Sequence, residues 1–216
     1  MSLLGRLLGR APAPWAHMQR WVVVDVETSG LDMQHDRLLA LAAIAVRLDG
    51  QAMPRITLGD SFEAVLRQAE APADKGNILL HGIGVGAQRA GAPAAETLAA
   101  FEHWLADAPL LAFHAVFDRI MIHRAMKAAL GRVPDNPWLD LEPVADALHP
   151  AVGGRALDDW LAHFGIECAV RHQAAADALA TAELLLRLWP AARAHHCTTF
   201  AKLRRLARHR RWLAPR

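Results

Sequence analysis

The stretch Trp21-Val-Val-Val-Asp25-Val-Glu27-Thr28-Ser29-Gly30 places two carboxylates in an otherwise apolar run. Its valine run predicts a buried strand that ends where the Thr-Ser-Gly turn begins. Because side chains two residues apart on a strand share a face, Asp25 and Glu27 lie on the same side, roughly 7 Å apart along the chain.

Two unpaired carboxylates beside a valine-rich core are unfavourable unless they are protonated or neutralised by a cation. Carboxylate oxygens without thiolates suit Mg²⁺ or Mn²⁺ better than structural zinc. The stretch therefore predicts a metal site at the edge of a sheet, and the alternative is a strand-terminal Asp25 next to a solvated Glu27.

The composition of the 216-residue chain fits one α/β domain of ordinary size. A hydrophobic fraction of 53% and a charged fraction of 21% are typical of a globular chain with a core. The sequence has neither an apolar run of about 18 residues nor a secretory signal, and its two cysteines form no Cys-x-x-Cys pair. We therefore expect a cytoplasmic protein without a membrane span.

The pattern of apolar residues predicts three strands joined by short turns, followed by alternating helices and strands. This order indicates an α/β three-layer domain with a mixed, mainly five-stranded sheet flanked by helices. Predicted strands cover residues 21–26, 38–48, 56–58, 110–113 and 138–139, and predicted helices cover 94–106, 115–130, 141–148, 156–164 and 173–189.

The two ends of the chain differ in composition from this central part. Residues 1–19 form a predicted N-terminal appendage with an Ala/Pro spacer, residues 20–190 the domain, and residues 191–216 a basic tail. The formal net charge is only +2, yet seven lysines and arginines lie between Lys202 and Arg216. Such a segment could contact phosphates or form a solvated terminal helix.

Two further carboxylates and a histidine lie near predicted helix starts. Asp118 lies in the first turn of a helix that follows an apolar strand, and Asp177 lies in the opening turns of a largely apolar helix. His172 is five residues before Asp177, so both side chains point at one place only if His172 belongs to the preceding loop. Four such carboxylates suit two metal ions in a phosphoryl displacement, with the imidazole taking a proton from water.

Three motifs in this order resemble the DEDDh 3′–5′ exonucleases of the ribonuclease H-like fold. They are Asp25-x-Glu27-Thr28, Phe117-Asp118 and His172-x-x-x-x-Asp177-Ala. This group includes the epsilon proofreading subunit of the bacterial replicative polymerase, ribonuclease T and oligoribonuclease. The likeness spans about residues 20 to 190. It implies that Asp25, Glu27, Asp118 and Asp177 hold two Mg²⁺ or Mn²⁺ ions, that His172 is the general base, and that nucleoside 5′-monophosphates are released.

The resemblance also implies substrate-binding residues. Thr28 and Leu31 lie where relatives hold the terminal nucleotide, and His81-Gly82-Ile83 resembles a segment that contacts the 3′ end, although these glycine-rich residues could equally form a simple turn. His114 replaces the asparagine that relatives usually carry near the site. Phe117 precedes the carboxylate of the second motif.

The expected function is a metal-dependent 3′–5′ exonuclease acting on single-stranded 3′ ends of DNA, either alone or as a proofreading-like subunit with a DNA polymerase as its partner. One alternative is a 3′–5′ exoribonuclease of short RNA, since spacing does not reveal sugar contacts. The other is a non-catalytic subunit that binds nucleic acid or a partner. The presence of all five chemical residues favours the enzyme.

Overall fold

The computed structural model describes residues 18–49, 52–70 and 74–213. Its strands are β1 (Arg20–Thr28), β2 (Leu38–Arg47), β3 (Arg55–Val65), β4 (Leu110–Ala112) and β5 (Trp138–Asp140). They form one mixed sheet in the order β3-β2-β1-β4-β5. The strand β1 pairs antiparallel with β2 and parallel with β4; β2 pairs antiparallel with β3, and β4 pairs parallel with β5.

Eight helices accompany this sheet in the described part of the chain. They are α1 (Lys75–His81), α2 (Val85–Ala90), α3 (Ala94–Leu105), α4 (Val116–Leu130), α5 (Glu142–Leu148), α6 (Leu157–Phe164), α7 (Ala174–Ala194) and α8 (Phe200–Leu213). None of them is long and apolar enough to cross a membrane. The predicted three-layer α/β architecture is therefore confirmed.

Alternate residues of β1 pack into the two cores of the domain. Trp21 and Val23 belong to the core on the face covered by α5 to α8, whereas Val22 and Val24 belong to the core on the face covered by α3 and α4. Because strand side chains alternate with a period of two, the odd-numbered Asp25 continues the face that carries Trp21 and Val23. This alternation points the acidic end of β1 towards α7.

Several predicted boundaries were wrong. The strand β3 continues to Val65 instead of ending at Leu58, because residues 58–60 form a bulge opposite Ile44 and Ala45, after which pairing with β2 resumes. The helix α7 runs through Pro190 to Ala194 instead of ending at Trp189, since Ala192 still packs into the core.

Two short helices were missed where glycines predicted only a loop. Asp74 caps the start of α1 by accepting a hydrogen bond from the amide of Asn77 at 2.9 Å, and Gly82, whose φ is 74°, caps its end. The helix α2 follows directly after Gly84. These caps stabilise α1, and both helices are too short to show a clear apolar period.

The predicted basic tail contains α8, which packs against α5 and β5. Phe200, Leu203 and Ala207 are buried in the core, so one face of this helix is part of the domain's packing. The division of the chain at residues 19 and 190 stays a prediction. Residues 1–17 of the predicted appendage and residues 214–216 lie outside the described part of the chain.

Candidate active site

The end of β1 presents Asp25 and Glu27 on one face of the sheet. Both side chains are half-buried, and their cross-strand neighbours on β2 are the small residues Ala42 and Ala40. Small neighbours leave room for the carboxylates and for a third group above the strand. That group comes from α7, which packs against both β1 and β2.

Asp177, in the first turn of α7, completes an acidic cluster with Asp25 and Glu27. One ligand oxygen from each residue lies within 4.8 Å of the others. Three carboxylate oxygens this close can bind the same divalent cation. The structure thus brings together three of the four carboxylates that the sequence singles out, and their role as metal ligands stays a prediction.

The electrostatics of the cluster are unfavourable without a cation. Burial and the charges of Asp118, Asp177 and Glu27 raise the pKa of Asp25 well above its ordinary value. Burial, followed by the charge of Asp177, raises the pKa of Glu27 to about 8. A divalent cation would favour the ionised forms, so the donor set fits a metal centre.

Asp118 lies beside this cluster but outside the group of three. It is buried in the first turn of α4. Burial raises the pKa of Asp118 and the charge of Asp140 raises it further, whereas hydrogen bonds from the backbone amides of Asp118 and Val26 oppose the rise. The contact with Val26 ties this carboxylate to β1, the strand that carries Asp25.

His172 lies on the turn before α7, where the sequence requires it to be if it shares a site with Asp177. Its backbone adopts the left-handed region with a φ of 61°, and its amide donates a hydrogen bond to Oδ2 of Asp177 at 3.0 Å. The imidazole is half-buried. The turn therefore fixes the backbone of His172 against the acidic cluster.

Arg171 is a site residue that the sequence analysis did not select. Its Nη1 donates to Oδ1 of Asp177, and its Nε donates to Oδ1 of Asp158 on α6 at 2.5 Å. The Sγ of Cys168 also contacts Oδ1 of Asp177 at 3.4 Å. The only sequence signal was a cation directly preceding His172, which alone does not reveal its partner.

The predicted substrate-binding residues of the first motif differ in exposure. Thr28 is buried, and its hydroxyl donates to the carbonyl oxygen of Gly30 at 2.7 Å. The side chain of Leu31 is 86% exposed. Asn77 on α1 donates to the carbonyl oxygen of Ser29, so α1 is attached to the turn that presents Leu31.

His81, His114 and Phe117 also differ in accessibility. His81 is buried at the end of α1; its Nδ1 accepts from the amide of Ile83 at 3.0 Å, and its Nε2 has no hydrogen-bond partner among the described residues. His114 is exposed, with a φ of 59°, and its amide donates to Oδ1 of Asp140. Phe117 is half-buried and packs against the core beneath α4.

Comparison with known proteins shows a match to the RNase_T family, described as exonuclease, over residues 22–185. The chain is 34% identical to a DNA polymerase III subunit epsilon-like protein of Rhodobacter capsulatus over 196 residues, which is 88% of this chain and 27% of that protein. It is 30% identical to the PolC-type DNA polymerase III of Bacillus subtilis over 171 residues, which is 79% of this chain and 11% of that protein. The chain thus spans about a quarter or less of the length of these relatives.

Solved structures share the fold. Exonuclease I of E. coli in complex with a dT13 oligonucleotide matches with a TM-score of 0.67 and 21% identity, covering 83% of this chain and 43% of that one. Cell-death related nuclease 4 matches with a TM-score of 0.66 and 14% identity, covering 79% of this chain and 64% of that one. At these identities the likeness shows the ribonuclease H-like fold alone. The family match settles the assignment that the sequence motifs predicted: the chain belongs to the RNase_T family of exonucleases.

Proposed function

We propose that this protein is a metal-dependent 3′–5′ exonuclease that releases nucleoside 5′-monophosphates from single-stranded DNA ends. The observation that carries the proposal is the convergence of carboxylates from β1 and α7, with the buried Asp118 of α4 beside them. Membership of the exonuclease family supports hydrolysis of nucleic acid. The polarity and the DNA substrate are parts of the proposal.

The residues proposed to hold two Mg²⁺ or Mn²⁺ ions are Asp25, Glu27, Asp118 and Asp177. Their oxygen-only donor set and their mutual repulsion fit hard divalent cations. Bound ions would supply Lewis acidity and orient the scissile phosphate for attack by water. The carboxylates would hold the ions at the end of β1, where the strand ends at Thr28 and the following turn begins.

His172 is proposed as the general base. A neutral imidazole can accept a proton from the attacking water near neutral pH, because its unperturbed pKa is about 6.5. The hydrogen bond from the amide of His172 to Asp177 supports this role, since it holds the turn at the edge of the cluster. The hydrogen bond from Arg171, on the same turn, to Asp158 of α6 stabilises this position.

The proposed contacts to the substrate rest on different features of the residues. Leu31 offers an exposed apolar surface to a terminal base, and His114 offers an exposed imidazole. His81 is buried and is proposed to shape the site from the end of α1, whereas Thr28 and Phe117 shape it through the turn and the start of α4. A cytoplasmic DNA polymerase is the proposed partner, because the relatives are named as DNA polymerase III proteins.

The test uses single-stranded DNA and RNA oligonucleotides of equal sequence, labelled at either the 5′ or the 3′ end, with Mg²⁺, Mn²⁺ or EDTA. We expect a ladder from the 5′-labelled DNA, immediate release of a mononucleotide from the 3′-labelled DNA, and no cleavage in EDTA. The matched control pair is Asp25→Asn, which removes a cluster carboxylate, and Asp107→Asn, which removes an exposed carboxylate away from the cluster.

Each alternative function has its own outcome in this assay. Faster cleavage of RNA than of DNA would replace the DNA substrate by short RNA. Cleavage that persists in EDTA would contradict the metal-dependent mechanism. Binding of both strands without cleavage in either metal would favour a non-catalytic subunit.

A further inference from the structure

Both carboxylate oxygens of Asp177 accept hydrogen bonds from the segment that precedes α7. Nη1 of Arg171 donates to Oδ1, and the amide of His172 donates to Oδ2 at 3.0 Å. The thiol of Cys168 lies 3.4 Å from the same Oδ1. A metal ion that binds Asp177 must therefore share these oxygens with three groups of the protein, of which the guanidinium of Arg171 carries a positive charge.

The charge of Arg171 acts on the whole acidic cluster of Asp25, Glu27 and Asp177. Burial and the charges of neighbouring carboxylates raise the pKa of Asp25, whereas the charge of Arg171 opposes that rise. Burial and the charge of Asp177 likewise raise the pKa of Glu27, and the charge of Arg171 again acts in the opposite direction. Because Arg171 also contacts Asp177 directly, one guanidinium interacts with all three carboxylates.

The guanidinium lies between two carboxylates that differ in exposure. Its Nε donates to Oδ1 of Asp158 at 2.5 Å, and the side chain of Asp158 is 63% exposed. Asp177 is buried, so its attraction to Arg171 is less screened by water. Asp158 lies in the first turn of α6 and is not one of the proposed metal ligands. It gives Arg171 a second partner that does not belong to the acidic cluster.

The positive charge of Arg171 is permanent, because a guanidinium in a protein does not lose its proton. A divalent cation beside the same carboxylates is repelled by this charge, and the repulsion is stronger in a partly buried site than in water. Arg171 therefore stabilises the cluster when no metal ion is bound and opposes the binding of one.

We propose, on the basis of the function proposed above, that Arg171 is an internal counter-cation, a residue that neutralises Asp177 in the metal-free protein and competes with the divalent ion for this carboxylate. Asp158 retains the guanidinium when Asp177 binds the ion. Arg171 is thus a positioning residue that sets the metal affinity of the site, and it takes no part in the chemical step.

The test measures binding of Mn²⁺ to the full chain without substrate, from the EPR signal of the free ion, so its result does not depend on hydrolysis. Arg171→Gln keeps an amide donor but removes the charge, and it should lower the Kd for Mn²⁺ about tenfold. The same variant should lower the Tm in EDTA, because the buried Asp177 loses its partner. If Arg171 only supported the turn, its replacement would loosen Asp177 and raise the Kd for Mn²⁺.

Two control variants separate the charge of Arg171 from other effects. Arg171→Lys retains the charge and should keep the Kd for Mn²⁺ within threefold of that of the unaltered protein. Arg187→Gln removes an exposed arginine of α7 that lies about 15 Å beyond Asp177 along the helix, and it should change the Kd less than twofold.

A variant of Asp158 tests the second partner of the guanidinium. Asp158→Asn should raise the Kd for Mn²⁺ about threefold, because Arg171 then has Asp177 as its only carboxylate partner among the described residues. In the Arg171→Gln background the same change should alter the Kd less than twofold, since the charge that couples the two sites is gone. Asp158 is exposed, so this variant decides the question if Arg171→Gln does not fold without metal.

Three outcomes would overturn the counter-cation. They are an unchanged or raised Kd for Mn²⁺ in folded Arg171→Gln, an equal fall of the Kd in Arg171→Lys or Arg187→Gln, and an unchanged Kd in Asp158→Asn. If the unaltered protein binds no Mn²⁺, the proposed function fails as well. If it binds Mn²⁺ and cleaves DNA normally while Arg171→Gln binds Mn²⁺ with the same affinity, only the counter-cation fails.

Discussion

The first turns of α4 and α7 each carry a buried aspartate, but the two carboxylates have different hydrogen-bond partners and different neighbouring charges. Asp118 and Asp177 are each 5% exposed, and each lies in the first turn of its helix. Asp177 receives a guanidinium from Arg171 and the amide of His172. Asp118 receives backbone amides and faces the additional negative charge of Asp140.

This difference shows that the protein neutralises only part of the negative charge of its buried acidic cluster. A helix N-terminus and backbone amides favour a carboxylate, but they do not neutralise it. At α7 the chain supplies its own counter-charge, whereas at α4 the pKa of Asp118 is raised and the charge is left to an external cation. The apo protein is therefore expected to be stabilised at one helix start and destabilised at the other.

The largest expected effect is a loss of activity that is equal for the two aspartates. If both hold metal, Asp118→Asn and Asp177→Asn should each lower kcat/KM for single-stranded DNA about 10³-fold, equivalent to about 4 kcal/mol of barrier. A steady-state assay in Mg²⁺ measures this, with Asp107→Asn as the exposed control. Retained activity in either variant would remove that residue from the metal centre.

The second prediction compares the histidines that precede the two helices. His114 and His172 both adopt the left-handed region, which asparagine tolerates well. His172→Asn should lower kcat about 10²- to 10³-fold and leave the Mg²⁺-induced rise in Tm intact, because only the base is lost. His114→Asn should change kcat less than threefold, with its effect confined to KM.

A loss of metal-induced stabilisation in His172→Asn would show that this residue supports the metal centre instead of acting as the base. Equal losses of kcat in both histidine variants would contradict the prediction that only His172 acts in the chemical step.

The third prediction is that replacing the two aspartates shifts the Tm of the metal-free protein in opposite directions. At pH 9 in EDTA, Asp118→Asn should raise the Tm by about 4 °C or more, because it removes a repelled buried charge. Asp177→Asn should lower the Tm, since it leaves Arg171 without its buried partner at a cost of about 1–3 kcal/mol. Differential scanning calorimetry of the metal-free proteins measures both shifts, and shifts of the same sign would contradict the comparison.

The smallest expected effect is a pH dependence of the metal-free protein. The pKa of Glu27 rises from 4.5 to about 8 on folding, so the folded protein binds this proton more tightly than the unfolded chain. Stability from this group is complete below pH 4.5 and is lost as the pH rises towards 8. The Tm in EDTA should therefore fall over this range, and Mg²⁺ should remove the fall.

The control for the pH experiment is Glu27→Gln, which should flatten the decline in EDTA. A Tm that rises with pH in the unaltered apo protein would mean that other groups outweigh the cluster.

Much of the site could be predicted because its information is local. The two-residue spacing of Asp25 and Glu27 fixes a shared face for any strand, and the position of His172 five residues before Asp177 requires the histidine to lie on the preceding loop. The structure confirms both features. The bulged strand β3 and the short helices α1 and α2 could not be predicted in the same way, because the apolar pattern is interrupted there. Pairing with β2 stabilises β3, and caps stabilise α1.

The partners of Arg171 and Asp140 also lay beyond the sequence. Nothing in the order of residues tells whether Arg171 contacts solvent, Asp158 or Asp177, since the answer depends on how α6 lies beside α7. The same holds for Asp140, which belongs to a three-residue strand and acts on Asp118 of the neighbouring helix.

The family, the layered α/β fold and the residue types that can hold a metal could be predicted, because alternation, helix starts and motif order are properties of neighbouring residues. The pairing of Asp177 with a cationic side chain, and the position of the basic helix α8 along a cleft, could not. These outcomes depend on the packing of α7 against β1 and of α8 against β5, contacts between segments far apart in the chain. The geometry of such contacts is set by the whole core, so no local pattern contains it.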